Sequence, residues 1–166
     1  MRTVAGAHNL LSISIAFVVR CLLVALFLPF SALDKVVNFK QALDQASQAI
    51  SNRALAALLI AGGFGIEVVM SLAVLTGVAD RLAALILAGY CVVTALLWKQ
   101  FWKQRDFRLR GVDGHRDLFW DFLKNIALAG GFLLLAFGTD ASGVRHFFSD
   151  PFVSSHPYAQ EQGADR

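Results

Sequence analysis

The most informative residue for chemistry is Glu67, the single ionisable side chain in an otherwise apolar stretch, residues 54–78. A helix of this length crosses the roughly 30 Å hydrocarbon core of a bilayer, since each residue adds about 1.5 Å. A carboxyl group at that depth costs roughly 2.5–3.5 kcal/mol, so it normally faces protein and has a partner. Two roles stay open for Glu67: a buried ion pair or hydrogen bond that fixes a helix bundle, or a carboxyl group that carries a proton or contacts a quinone.

Other polar residues inside apolar stretches are candidate partners, and we expect them to form one buried polar cluster with Glu67. Arg20 lies in the first stretch and Lys35 follows shortly after it, and the two share a helical face if the helix continues. Arg20 either pairs inside the bundle or extends its side chain to the headgroups. In the last stretch, three side chains share a face through spacings of three and four residues: Asp121, Lys124 and Asn125. Asp121 and Lys124 can pair locally, which leaves the asparagine to reach another helix.

We predict that Glu67 hydrogen bonds to a polar group on another helix. The candidates are Arg20, Lys35, Lys124 and Asn125.

The helices that must position these residues follow from hydropathy. Hydrophobic residues make up 57% of the chain and charged residues 16%, and the mean hydropathy is +0.58, which excludes an ordinary soluble domain. Four stretches are long and apolar enough to span, residues 10–30, 54–78, 82–98 and 118–138. The sequence therefore predicts an all-α fold, a polytopic four-transmembrane-helix bundle in residues 1–138, followed by a polar C-terminal tail, 139–166. We interpret the third span as packing only. Glycines near residues 62–65 and 130–131 permit close helix approach.

Residues 36–50 carry apolar side chains at steps of three and four with polar ones between them. This pattern predicts an amphipathic interfacial helix after the first span, too polar to cross the membrane. It either covers the loop or offers a docking surface for a partner.

The basic residues predict the orientation in the membrane. The connections after the first and third spans carry three and six lysines and arginines, and the opposite side of the membrane carries four. The positive-inside rule then places the longer connections in the cytoplasm and both termini on the outer, periplasmic side of a bacterial inner membrane. The basic and aromatic residues near position 100 suit anionic lipids rather than nucleic acid.

The chain lacks the residue patterns that several redox cofactors and dithiol chemistry require. Cys21 and Cys91 are about 70 residues apart and form no Cys-x-x-Cys pair. The four histidines, His8, His115, His146 and His156, lie outside the predicted spans, whereas a membrane haem is usually held by imidazoles within helices. We predict no metal site and no cofactor bound by this chain alone, with quinone as the remaining candidate.

The order and spacing of these motifs resemble the DoxX family of small four-helix bacterial membrane proteins. The runs that carry the resemblance are RCLLVALFLPFSALDKV, IEVVMSLAVLTGVADRLAALIL and FWDFLKNIALAGGFLLL, over residues 16–138. The family is named for a subunit associated with a terminal quinol oxidase, and some relatives are linked to thiosulfate–quinone chemistry. The resemblance implies an accessory or anchoring subunit of a quinone-linked dehydrogenase or oxidase complex.

Two other functions stay open. One is a quinone site in which Glu67 and either Lys124 or Asn125 contact the ring oxygens, and the other is a carrier of protons or small solutes that titrates Glu67. The partner would be a redox protein, on the periplasmic side if the tail docks it. We expect four aromatic residues of the tail to be the docking anchors: Phe147, Phe148, Phe152 and Tyr158. The predicted outer surface offers the tail few contacts within its own chain.

Overall fold

The computed structural model describes residues 2–49, 51–103 and 114–159 of the chain, and every regular element in those ranges is a helix. The elements are α1 (Arg2–Val24), a π-helical segment (Leu26–Ser31), α2 (Ala32–Val37), α3 (Phe39–Ala49), α4 (Arg53–Thr76), α5 (Asp80–Trp98), a single 3-10 turn (Phe101–Lys103), α6 (Gly114–Phe137) and α7 (Ala141–Ser149).

Four helical stretches are long and apolar enough to cross a membrane, which confirms the predicted fold class. They cover Asn9–Val37, Arg53–Thr76, Asp80–Lys103 and Arg116–Phe137. The chain is a multi-pass membrane protein, and its exposed apolar side chains, such as Leu22, Leu58 and Leu134, suit a surface that faces lipid.

The first span continues past Pro29 because the chain widens around the proline instead of ending the helix. Proline has no N–H group and its ring crowds the carbonyl of the preceding turn. The π-helical segment Leu26–Ser31 contains Pro29 and leads directly into α2. Ser31 is the last residue of the π-helical segment, and Lys35 lies one turn later on α2.

The bundle has two ends, which we name by their connections. The turn end carries the turn between α4 and α5 (residues 77–79) and residues 138–159, and the loop end carries α3 and the connection after α5. At the turn end, Gly77 closes α4 in the left-handed conformation (φ +79°) and Ala79 follows with φ +47°. This tight reversal makes α4 and α5 antiparallel neighbours and places Asp80 at the first position of α5.

The core lies between α1, α4, α5 and α6. Large side chains such as Phe27, Leu87 and Phe132 fill it, and buried alanines on α5 let the neighbouring helices approach. Cys91 is part of this core, where it packs as a small apolar residue.

The amphipathic helix after the first span is α3. Its apolar residues Leu43 and Ala46 pack against Ala56 of α4. This face of α3 therefore covers the start of α4, while Lys40 and Asp44 on α3 remain exposed.

Candidate functional site

The interior of the bundle contains two separate polar clusters. The Glu67 cluster consists of Glu67, Lys35, Ser31 and Tyr90, and the Asp80 cluster consists of Asp80, Arg20 and Ser155. Each of them joins side chains from distant parts of the sequence.

Three donors converge on the carboxylate of Glu67, which is 2% exposed. The Nζ atom of Lys35 lies 2.6 Å from Oε1 and 2.8 Å from Oε2. The hydroxyl of Ser31 donates to Oε1 at 3.0 Å, and the hydroxyl of Tyr90 donates to the same atom at 2.8 Å. The prediction that Glu67 hydrogen bonds to a polar group on another helix is confirmed, and among the four candidates the partner is Lys35. An ion pair completed by hydroxyl donors suits a buried charge, because each remaining lone pair also needs a partner.

Backbone features on two helices bring these donors to Glu67. Ser31 and Lys35 are one helical turn apart, and Lys35 also donates to the Ser31 hydroxyl at 2.8 Å. Gly63 lies one turn before Glu67, and a Cβ atom there would come within 3.1 Å of the Tyr90 hydroxyl. Gly63 therefore provides the space in which Tyr90 reaches Glu67. The interpretation of the third span as packing only is wrong in this respect, because its tyrosine supplies a hydrogen bond.

In the Asp80 cluster, a buried arginine meets a buried aspartate. The Nη2 atom of Arg20 lies 2.5 Å from Oδ2 of Asp80, and its Nη1 atom donates to the backbone carbonyl of Val74 at 2.5 Å. Ser155 completes the site: its N–H donates to Oδ1 at 2.9 Å, and its hydroxyl donates to Oδ2 at 2.5 Å and accepts from Arg20 at 2.8 Å. Of the two alternatives for Arg20, pairing inside the bundle is the observed one.

Helix ends explain why charges of these signs meet at this place. Val74 lies in the last turn of α4, whose carbonyls lack partners within the helix and carry partial negative charge, so a cation is favourable there. Asp80 opens α5, where the exposed N–H groups favour an anion. The turn brings the two helix ends together, and the Arg20–Asp80 pair complements both. Asp80 is not among the predicted site residues, because Asp80 and Arg81 follow Gly77 in a sequence typical of a tight turn into the third span.

The C-terminal tail packs against its own bundle, so the expectation that it would find little contact there is wrong. The hydroxyl of Tyr158 donates to the carbonyl of Leu75 at 2.5 Å, and its ring lies 6.3 Å from that of Phe17. Burial raises the pKa of the Tyr158 phenol above its ordinary value, which keeps it a donor at neutral pH. Pro157 sits against Gly77, where a Cβ atom would be 3.0 Å from the proline ring.

The four aromatic residues predicted as docking anchors divide into two pairs. Phe147 is buried against Phe137 of α6, and Tyr158 is held by α4, so these two attach the tail to the bundle. Phe148 and Phe152 are 73% and 70% exposed. Only this second pair is available to another molecule.

The remaining predicted site residues form a third, partly exposed group at the loop end. Asp121 accepts from Lys99 at 2.9 Å and from Lys124 at 3.3 Å, so the local Asp–Lys pair is present together with a second lysine. Asn125 donates to the backbone carbonyl of Asp121. The expected single polar cluster is therefore divided into three: the Glu67 cluster, the Asp80 cluster and this group at the loop end. Asp121, Lys124 and Asn125 bond within their own group and not to Glu67.

One polar atom of the interior belongs to neither buried cluster. The hydroxyl of Ser71 is fully buried, and within the described part of the chain it has no hydrogen-bond partner. Ser71 lies one turn after Glu67 and three residues before Val74, between the two clusters on α4.

No group of three or more histidine, cysteine, aspartate or glutamate side chains among the described residues is arranged to hold a metal ion. The side chains of His8 and His115 lie outside the described part of the chain.

The comparisons with known proteins give a family. The model of the family described as DoxX matches residues 15–100, which is just over half of the chain and includes Arg20, Lys35, Glu67 and Asp80. No curated protein and no solved structure matches the chain.

Proposed function

Because this chain belongs to the DoxX family, we propose that it is an accessory or anchoring subunit of a bacterial membrane-bound redox complex. It would hold a quinone-linked dehydrogenase or oxidase at the membrane without a redox cofactor of its own.

The two buried carboxylates have hydrogen-bond donors at both of their oxygens, which supports a scaffolding role. Both oxygens of Glu67 accept hydrogen bonds from side chains of other helices. Both oxygens of Asp80 accept hydrogen bonds from Ser155 of the tail, one from its backbone N–H and the other from its hydroxyl. Such bonds hold α1, α4 and α5 in a fixed arrangement, since separating the helices would leave a charge unpaired in the membrane.

The observation that carries the proposal is the fixed presentation of Phe148 and Phe152. The segment that contains them is attached on both sides, by Phe147 before and by Ser155 and Tyr158 after. Exposed aromatic side chains on an immobilised segment are typical docking anchors, because aromatic residues contribute strongly to interfaces and little entropy is lost on binding. We place the partner here, at the turn end.

Co-purification in a mild detergent tests this proposal. The double variant Phe148→Ala/Phe152→Ala should lose about tenfold or more of a cofactor-bearing partner, since each buried aromatic anchor contributes at least 1–2 kcal/mol. Phe30→Ala is the matched control, because Phe30 is 69% exposed but lies within the first span. If the double variant retains as much partner as the wild type, these two phenylalanines are not the docking anchors. If no redox partner co-purifies with the wild type, the chain is not a subunit of a redox complex.

We also propose that the turn end faces the periplasm, on the basis of the basic residues in the two longer connections. The partner would then be a periplasmic redox protein. A reporter fused after Arg166 should be active only in the periplasm, and activity in the cytoplasm would reverse the orientation.

A second candidate is proton transfer through the bundle, with Glu67 as the titrating group or as a contact for a quinone ring. The Ser71 hydroxyl favours it, because this atom lies between the two polar clusters and has no partner among the residues that the structure describes. It therefore has bonding capacity left for a water molecule or a substrate. Proton uptake by liposomes that contain the wild-type chain, abolished in Glu67→Gln, would support this candidate. Quinone that stays with the purified wild type but not with this variant would identify the ring contact.

A further inference from the structure

A cleft of about 380 Å³ opens at the turn end, between the first turn of α5, the last turns of α6 and the start of α7. Its apolar wall includes Leu134 and Phe137, and its polar wall includes Arg81, Asp140 and His146. Nothing in the two polar clusters or in the exposed aromatic pair uses these residues.

Arg81 is the unusual member of this cleft. Its Nε atom is buried and has no hydrogen-bond partner in the described part of the chain. Among the described residues, no acidic side chain lies within ion-pair distance of it, because the adjacent Asp80 is paired with Arg20. A partly buried guanidinium without an anion is unfavourable, so the site is suited to an external anionic group.

The second charge of the cleft is the carboxylate of Asp140, which caps α7. One of its oxygens accepts from the N–H of Gly143 at 3.0 Å and the other from the Ser142 hydroxyl at 2.7 Å. These bonds hold the pKa of Asp140 below its ordinary value, so the group is ionised at neutral pH. The cleft thus presents one cation and one anion on opposite elements.

The position of the cleft relative to the spans indicates the depth of its ligand. The third span begins at Asp80 and the fourth ends at Phe137, so Arg81 and Asp140 flank the same boundary of the apolar region. Phospholipid headgroups occupy this depth, and the apolar wall continues toward the hydrocarbon.

We propose that this cleft binds the headgroup of a zwitterionic phospholipid, with the phosphate at Arg81 and His146 and the ammonium group at Asp140. A free phosphate ion matches the site less well, because the Asp140 carboxylate would repel it. An ethanolamine headgroup matches best, since its ammonium group donates hydrogen bonds to a carboxylate whereas a choline headgroup has no N–H. The inference does not depend on the proposed redox partner.

Lipid-dependent thermal stability in detergent tests the site. Short-chain phosphatidylethanolamine should stabilise the wild type at lower concentration than phosphatidylcholine, and phosphatidylglycerol should be weakest. Arg81→Gln should weaken the phosphatidylethanolamine effect about tenfold or more, because it removes a charge-assisted bond to the phosphate. Arg145→Gln is the matched control, an exposed arginine of α7 that does not line the cleft.

Asp140→Asn tests the contact to the ammonium group separately from the contact to the phosphate. Asparagine also caps helices well, so α7 should keep its start while the carboxylate charge is lost. This variant should still respond to phospholipid but lose its preference for phosphatidylethanolamine over phosphatidylglycerol. Equal responses of Arg81→Gln and Arg145→Gln would overturn the site. Stabilisation of the wild type by inorganic phosphate alone, to the same extent as by lipid, would overturn the assignment to a lipid headgroup.

Discussion

Substituting Arg20 and Asp80 singly and together measures how strongly the buried ion pair holds α1 against the α4–α5 turn. The substitutions are Arg20→Met, which keeps the length of the side chain, and Asp80→Asn, which keeps an acceptor for the N–H of Ser155. Each single variant leaves one charge of the pair without its counter-charge, and the double variant leaves neither.

The expected magnitude follows from the geometry of the pair. Its side chains are 4% and 0% exposed and its charged atoms are 2.5 Å apart. Removing one partner of a buried pair costs about 3–5 kcal/mol, mostly because the other charge stays buried without compensation. The double variant avoids that penalty, so the two losses should not add, and the coupling energy should be about 2 kcal/mol or more.

The assay is reversible unfolding in mixed micelles by titration with a denaturing detergent, which gives the free energy of unfolding of all four proteins in the cycle. The Arg53–Asp44 pair provides the control, because it joins the same residue types at 3.7 Å with side chains 74% and 70% exposed. The matching cycle of Arg53→Met and Asp44→Asn should give a coupling energy below about 1 kcal/mol. The reasoning is refuted if the Arg20–Asp80 coupling energy does not exceed that of the control pair.

Three further substitutions test the close contacts of the bundle and the tail. Gly63→Ala should lower the free energy of unfolding by about 1–3 kcal/mol, because its Cβ would displace the Tyr90 hydroxyl from Glu67. Gly62→Ala is the control in the same unfolding assay. It should leave stability unchanged or raise it, since that Cβ would meet no described atom within 4 Å. Gly77→Ala combines a left-handed backbone with a 3.0 Å contact to Pro157, so protease should release the C-terminal segment sooner than in the wild type. Tyr158→Phe removes a donor to a backbone carbonyl of α4 and should lower stability by about 0.5–1.5 kcal/mol, and unchanged unfolding would show that the bond contributes nothing.

The four spans could be predicted from the sequence because the thickness of the bilayer fixes the length of each apolar stretch. The cost of a carboxylate in that environment likewise predicts that Glu67 has an interhelical partner. The identity of that partner could not be deduced, because it depends on the direction in which α2 leaves the π-helical segment around Pro29. Periodicity shows which residues share a face of one helix, and it does not show which faces of two helices meet.

The Asp80 cluster escaped prediction for a different reason. Aspartate followed by arginine after a glycine is typical of an exposed turn, whereas in the fold Asp80 is buried in contact with Arg20 and Ser155. Ser155 lies in a polar segment with no periodic pattern, so its backbone N–H and hydroxyl could not be assigned to any site from the sequence. The sequence does indicate that polar partners are needed near this turn, because the last carbonyls of α4 and the first N–H groups of α5 have none within their own helices.

The position of Ser155 along the chain also affects how the protein is made. Ser155 lies 135 residues after Arg20 and 75 residues after Asp80. At a synthesis rate of roughly 5–20 residues per second, the ribosome needs about 4–15 s to advance from Asp80 to Ser155. During that interval the nascent bundle contains an Asp80 carboxylate that lacks two of its three donors. The hydrogen bonding of the Asp80 carboxylate is therefore completed only after Ser155 has been synthesised, although Arg20 and Asp80 are both present long before.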